Sequence, residues 1–168
     1  MASSNKERIY APLNKKDLRR LRELALDEHE KFFERNPHLR RAYYNSLIGI
    51  CLCQGAALHY LNPKIGIKDF DIWHFYLRSS WVNFPYRAHK RIENGYMGMP
   101  IDFLKRDIPR YVYDQGSKES GQVIMNYLLE RNTKSKNFLL KKAIIGLYPD
   151  KIFGKVLWKG SGDIYTVT

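Results

Sequence analysis

Lys68-Asp69-Phe70-Asp71-Ile72-Trp73-His74-Phe75-Tyr76-Leu77 places an acidic or aromatic residue at almost every step and contains neither glycine nor proline. Such a run, rich in aromatic and β-branched residues, suits a strand. Successive side chains of a strand point to opposite faces, so Asp69, Asp71 and Trp73 share one face while Phe70, Ile72 and His74 share the other. The expectation is a strand that aims two carboxylates in the same direction.

Upstream, Ser46 to Cys53 is apolar and holds Gly49. Its length suits a buried strand, although pattern alone also admits a continuing helix. QGAALHYLNP then reads as a glycine turn opening a short helix closed by Asn62-Pro63. Nearer the start, NKKDLRRLRELALDEHEKFFERN predicts a helix. Asn14 can cap it, Asp17 sits in the first turn, and Leu18, Leu21, Leu24 or Ala25, Glu28 and Phe32 recur at spacings of three and four. Asn36-Pro37 ends it, and Pro37 opens a second helix carrying Leu39, Tyr43 and Leu47 on one side.

Downstream, residues 78–99 read as loop, with YRAHKRIENGY forming one to three helical turns ended by Gly95. IDFLKR, framed by Pro100 and Pro109, is the next strand candidate, with Asp102 and Leu104 facing one way and Phe103 and Lys105 the other. Beyond Gly121, QVIMNYLLERN, KSKNFLLKKAIIGLY and DKIFGKVLW all read as helical. The expected fold class is α/β (α+β): a small mixed β-sheet bearing three aspartates, flanked by N-terminal and C-terminal helices. The 168 residues fit one domain, 1–168, with 1–13 flexible, 37–110 as catalytic core and 120–160 as a basic helical part.

Read together, Ile50-Cys51-Leu52-Cys53-Gln54-Gly55-Ala56, the twelve residues 57–68, Asp69-Phe70-Asp71-Ile72 and the later Ile101-Asp102-Phe103 form an ordered set. This order resembles the nucleotidyltransferase superfamily with the polymerase beta-like fold. The nearest likeness is to its minimal prokaryotic members, including toxins of toxin–antitoxin and abortive-infection systems. The matching motifs cover about a third of the chain. The resemblance implies transfer of a nucleoside monophosphate from a nucleoside triphosphate to a hydroxyl acceptor. It also implies two Mg²⁺ ions, with Mn²⁺ able to substitute, held by Asp69, Asp71 and Asp102.

The chemistry suits those residues. Hard divalent cations take oxygen ligands, and a metal pair can stabilise both attacking and leaving oxygens. Gly55 lets the backbone approach phosphates at a helix start. Ala56 stands where the family usually has serine, so there only its N–H is offered. Lys68, Arg87, Lys90 and Arg91 are candidates for triphosphate contacts by charge and position.

The chain carries 29 Lys and Arg against 17 Asp and Glu, a net charge of +12. An excess of this size points to a phosphate-rich partner. It is concentrated late: Arg131, Lys134, Lys136, Lys141, Lys142, Lys151, Lys155 and Lys159 face Asp150 alone. Arg131, Lys134, Lys136, Lys141 and Lys142 are the candidate nucleic-acid contacts, and RNA, a tRNA end included, is the favoured acceptor. Trp73, Trp81, Tyr111 and Tyr113 could stack on bases or pack in the core.

A rival expectation is a catalytically weakened protein of the same fold that binds nucleic acid or a partner. Ala56 favours it. An antitoxin, or a second subunit that completes the nucleotide site, is the further partner considered. The start MASSNKERIYAP lacks the apolar stretch of a signal peptide, and no apolar run could span a bilayer, so a cytoplasmic protein is expected, without a membrane partner. Cys51 and Cys53 lie too close to bridge without strain and read as reduced structural thiols, with a zinc site using His59 or His74 as the alternative.

Overall fold

The computed structural model describes residues 7–86, 88–130 and 139–160. Helix α1, Lys15–Arg35, starts where the sequence says it should. Asp17 N–H donates to Asn14 Oδ1 and Asn14 N–H donates to Asp17 Oδ2, a reciprocal cap that satisfies two otherwise orphaned amides. Its buried stripe comprises Leu18, Leu21, Ala25, Glu28, His29, Phe32 and Phe33. Helix α2, Pro37–Tyr43, follows directly.

The centre is a six-stranded mixed sheet. Its strands are β1 (Leu47–Cys53), β2 (Phe70–Leu77), β3 (Ala88–Tyr96), β4 (Met99–Ile108), β5 (Ile144–Tyr148) and β6 (Val156–Trp158), in the order β3-β4-β2-β1-β5-β6. β2 and β4 run parallel and the other neighbours antiparallel. Helix α3, Gln54–Leu61, links β1 to β2; α4, Arg110–Tyr113, and α5, Ser120–Glu130, follow β4.

Alternation along the central strands divides the core in two. Ile50, Leu52, Phe70, Ile72, Ile101 and Phe103 pack with Leu18, Leu21 and Ala25 of α1. Cys51, Cys53, Trp73 and Phe75 pack on the other face with Val123, Ile124 and Leu128 of α5. Thus helices from both ends of the chain flank the sheet, and the expected α/β class holds.

Three expectations need correction. The segment read as loop and helical turns is the edge strand β3, joined to β4 through Met97 and Gly98, both at positive φ as a tight hairpin turn requires. Gly95 does not end a helix: a Cβ there would collide with the Ile101 side chain of β4. IIGLY is likewise strand β5, not helix, and a Cβ on Gly146 would strike the backbone carbonyl of Ile152. DKIFGKVLW forms a 3₁₀ turn, Asp150–Ile152, and the short β6. The C-terminal part is therefore mixed, with α5 as its long helix. Among the described residues no helix is long and apolar enough to cross a membrane.

Candidate metal and phosphate site

Asp69 lies just before β2, Asp71 is its second residue, and Asp102 lies within β4. The parallel register pairs Asp71 with Asp102, so both project from the sheet face that carries Trp73 and Leu104. One oxygen from each of Asp69, Asp71 and Asp102 can be chosen so that all lie within 4.8 Å of one another. Among the described residues this is the group of His, Cys, Asp or Glu side chains close enough to hold a metal.

Register extends the site sideways. Cys53 of β1 opposes Asp71, Asp102 opposes Arg91 of β3, and Ile144 of β5 opposes Cys53. One transverse row therefore runs Ile144, Cys53, Asp71, Asp102, Arg91. At its outer end, Arg91 donates from a terminal guanidinium nitrogen to Asp102 Oδ2 at 2.7 Å and from Nε to Glu93 at 2.8 Å. His89 Nε2 lies 2.9 Å from Asp102 Oδ1. Both Asp102 oxygens thus have a partner from the edge strand.

Among the described residues Asp71 and Asp69 have no such close partners, and their acidities show it. Burial first, then the charges of Asp69 and Asp102, push the Asp71 carboxyl up to about 7; Lys142 and Arg91 pull the other way without compensating. Asp69 is also raised, by burial and then by Asp102. Crowded, partly desolvated carboxylates favour protonation unless a cation joins them. A divalent ion with a preference for oxygen supplies that charge, so the donor set fits one.

The candidate phosphate side lies at the β1–α3 junction. Cys53, in extended backbone, precedes α3 without a side-chain cap, which leaves the first amides of the helix uncapped by a side chain. Gln54 adopts φ 62°, an uncommon left-handed conformation for a residue with a side chain. Gly55 has ordinary φ, and a Cβ built on it meets nothing within 4 Å. Neither strain nor packing accounts for the glycine; open space above its backbone does fit a ligand. Ala56 is fully buried in the α1-side core and can offer only its N–H.

The other candidates separate. Lys142 is half-buried and its charge acts on both Asp69 and Asp71, which places it beside the cluster and not on a remote basic face. Lys68 is exposed and acts on Asp69. Lys90 alternates away from Arg91 and acts on Lys105 beneath the α1 side, so it does not face the aspartates. Lys141 is exposed. Arg87, Arg131, Lys134 and Lys136 lie outside the described residues.

Sequence reasoning missed His89 and Gln54. His89 shares a face with Arg91 only once that segment is a strand, and no sequence signal marked the left-handed Gln54. The zinc alternative does not assemble. Cys51 and Cys53 are free, buried thiols held above the usual range by burial. His74 projects from the opposite sheet face, its Nε2–H donating to the Ala25 carbonyl. His59 has both ring nitrogens 2.7 Å from the Ile65 and Ala11 carbonyls.

Comparison with protein-family models, with curated proteins and with solved structures gives no match for this chain.

Proposed function

We propose that the protein is a metal-dependent nucleotidyltransferase that moves a nucleoside monophosphate from a nucleoside triphosphate to a hydroxyl of RNA, a tRNA end included. The observation that carries the reading is the convergence of Asp69, Asp71 and Asp102 next to an uncapped helix start with open space over Gly55. A bare acidic cluster has many explanations. An acidic cluster beside a phosphate cradle, in a strongly basic chain, has fewer.

In this reading Asp69, Asp71 and Asp102 hold Mg²⁺ or Mn²⁺. When bound, the ions lower the pKa of the attacking hydroxyl and neutralise charge on the leaving oxygens. The amides of Gly55 and Ala56 hold phosphate oxygens, and Lys142 and Lys68 add positive charge beside them. Arg91 and His89 steer the Asp102 carboxylate, which orients the acceptor hydroxyl. The acceptor oxygen bonds to the α-phosphorus, the bond from that phosphorus to the bridging oxygen of pyrophosphate breaks, and the hydroxyl proton passes to solvent through a carboxylate. Toxin activity restrained by an antitoxin is the biological setting proposed with this chemistry.

The test is incubation with α-labelled nucleotides, Mg²⁺ and total RNA. Label transfer by the wild type and its loss in Asp69→Asn/Asp71→Asn is the expected result; equal labelling by both proteins removes the reading. Gly55→Val provides an independent check on the cradle. Because its Cβ enters open space, the fold should persist with a melting temperature within a few degrees, while the added bulk raises the KM for the triphosphate by about tenfold or more. An unchanged KM would detach Gly55 from the nucleotide.

A second reading is a nucleic-acid-binding or partner-binding protein without the chemistry. The close hold of Arg91 and His89 on Asp102, together with the buried Ala56, favours it. It predicts RNA binding that needs neither metal nor aspartates, with no label transfer under any nucleotide.

A further inference from the structure

The aromatics that could stack or pack are sorted by the fold. Trp73 is buried, whereas Trp81 is 63% exposed and Tyr111 52% exposed. Trp81 follows the end of β2 and Tyr111 the end of β4. These ends are stitched together, since the Arg78 N–H donates to the Ile108 carbonyl at 2.9 Å. Trp81 and Tyr111 each lie three residues beyond this bond, a span of at most about 10 Å, so both belong to the rim at this end of the sheet.

Cations line the same rim. The Arg41 guanidinium lies 5.8 Å from the Trp81 ring centroid, and exposed Arg110 opens α4 beside Tyr111. Neither Arg41 nor Arg110 pairs with a carboxylate among the described residues. Arg78 does, with Asp107 at 2.6 Å. Exposed rings beside guanidinium groups offer both a stacking face and a phosphate partner to a nucleotide.

We propose that this rim, formed by Arg41, Trp81, Arg110 and Tyr111, docks single-stranded RNA. Bases stack on Trp81 and Tyr111, and Arg41 and Arg110 take flanking phosphates. Stacking on exposed rings suits unpaired bases of any sequence; a duplex keeps its bases stacked on one another. The rim lies at the far end of β2 from Asp71, about 20 Å away at ~3.3 Å per residue. RNA held there leaves its end free to reach the aspartates. Only this last step, making the bound RNA the acceptor, rests on the proposed transfer activity.

Fluorescence anisotropy with a fluorescein-labelled single-stranded RNA of about 12 nucleotides tests it, without metal or nucleotide and at ~50 mM salt. Trp81→Ala and Tyr111→Ala should each weaken binding about fivefold or more. Arg41→Gln should reduce the slope of log affinity against log salt by about 1. Asp69→Asn/Asp71→Asn should bind like the wild type. Since the three substituted side chains, Arg41, Trp81 and Tyr111, are exposed, unchanged melting curves exclude unfolding as the cause.

Binding that ignores the rim variants, or that is lost only in Lys141→Ala/Lys142→Ala, overturns the proposal. Rim variants that lose affinity for a glutamate-rich peptide but keep RNA assign the surface to an acidic protein and overturn it too. A protein that transfers no label yet loses RNA binding in the rim variants supports the rim while removing the transfer activity.

Discussion

Glu28→Gln lowers the melting temperature by roughly 10 °C, from a cost of about 3–5 kcal/mol for stranding a buried charge. The charge stranded is Lys105. Its Nζ donates to Glu28 Oε2 at 2.7 Å, and both side chains are almost wholly enclosed between α1 and β4. Phe32 offers a ring face 4.9 Å from the ammonium, a much weaker partner than a carboxylate. Arg35, which also grips Glu28 through two hydrogen bonds, is partly exposed and loses little when its partner goes.

The pH dependence of that variant has a definite sign. Burial lowers the Lys105 pKa, and Glu28 opposes the shift without cancelling it. Without the carboxylate the folded value drops further below the unfolded one, so the folded state binds fewer protons. Stability then rises with pH through that window, and the deficit of Glu28→Gln shrinks as pH approaches about 10. Thermal melts at pH 7 and pH 10 measure it; a deficit independent of pH would remove Lys105 from the explanation. Glu28→Leu/Lys105→Met, which replaces both charges by apolar groups, should recover most of the loss. The neighbouring His74 adds no cation, because burial lowers its pKa to about 3.

This buried pair was invisible as a pair in the sequence, yet each half lay in a legible element. The α1 start was readable because Asn14 and Asp17 make a local, reciprocal cap, independent of anything distant. β2 was readable from its run of aromatic and β-branched residues, and β4 because Pro100 and Pro109 frame it, although both strands are largely buried on both faces. β3 was not: both faces of most of this edge strand are exposed, so HKRIEN carries no alternating apolar code. Losing β3 also hid the approach of His89 to Asp102. β5 failed for the opposite reason, since a strand buried on both faces and preceded by Lys141 and Lys142 looks like the end of an apolar helix. The three aspartates were identifiable from spacing, but their convergence depends on the parallel register of β2 and β4, which connects strands separated by an entire hairpin partner.

Asp71→Asn is expected to abolish the proposed transfer activity and to stabilise the metal-free protein. The two effects have one cause. In the wild type, burial and then the charges of Asp69 and Asp102 push the Asp71 carboxyl up to about 7, well above an ordinary aspartate. The folded state therefore holds a proton that the unfolded chain releases, and stability from this group falls as pH rises from about 4 to about 7, then stays low. An asparagine carries no such slope, so in chelator at pH 8 the variant should unfold at higher temperature, by up to a few kcal/mol of stability. Added Mg²⁺ should reverse the order. A ligand that binds only the folded wild type stabilises it by mass action, whereas the variant would lack one of the proposed anionic oxygen ligands and gain little. If the proposed function holds, transfer activity should fall by more than about a hundredfold, since Asp71 is one of the three carboxylates that would hold the metal. Melting curves of both proteins, with chelator and with Mg²⁺, decide the matter without any knowledge of the substrate. Curves that cross mark a metal site kept at the expense of stability; curves that shift together on adding Mg²⁺ leave only three crowded carboxylates.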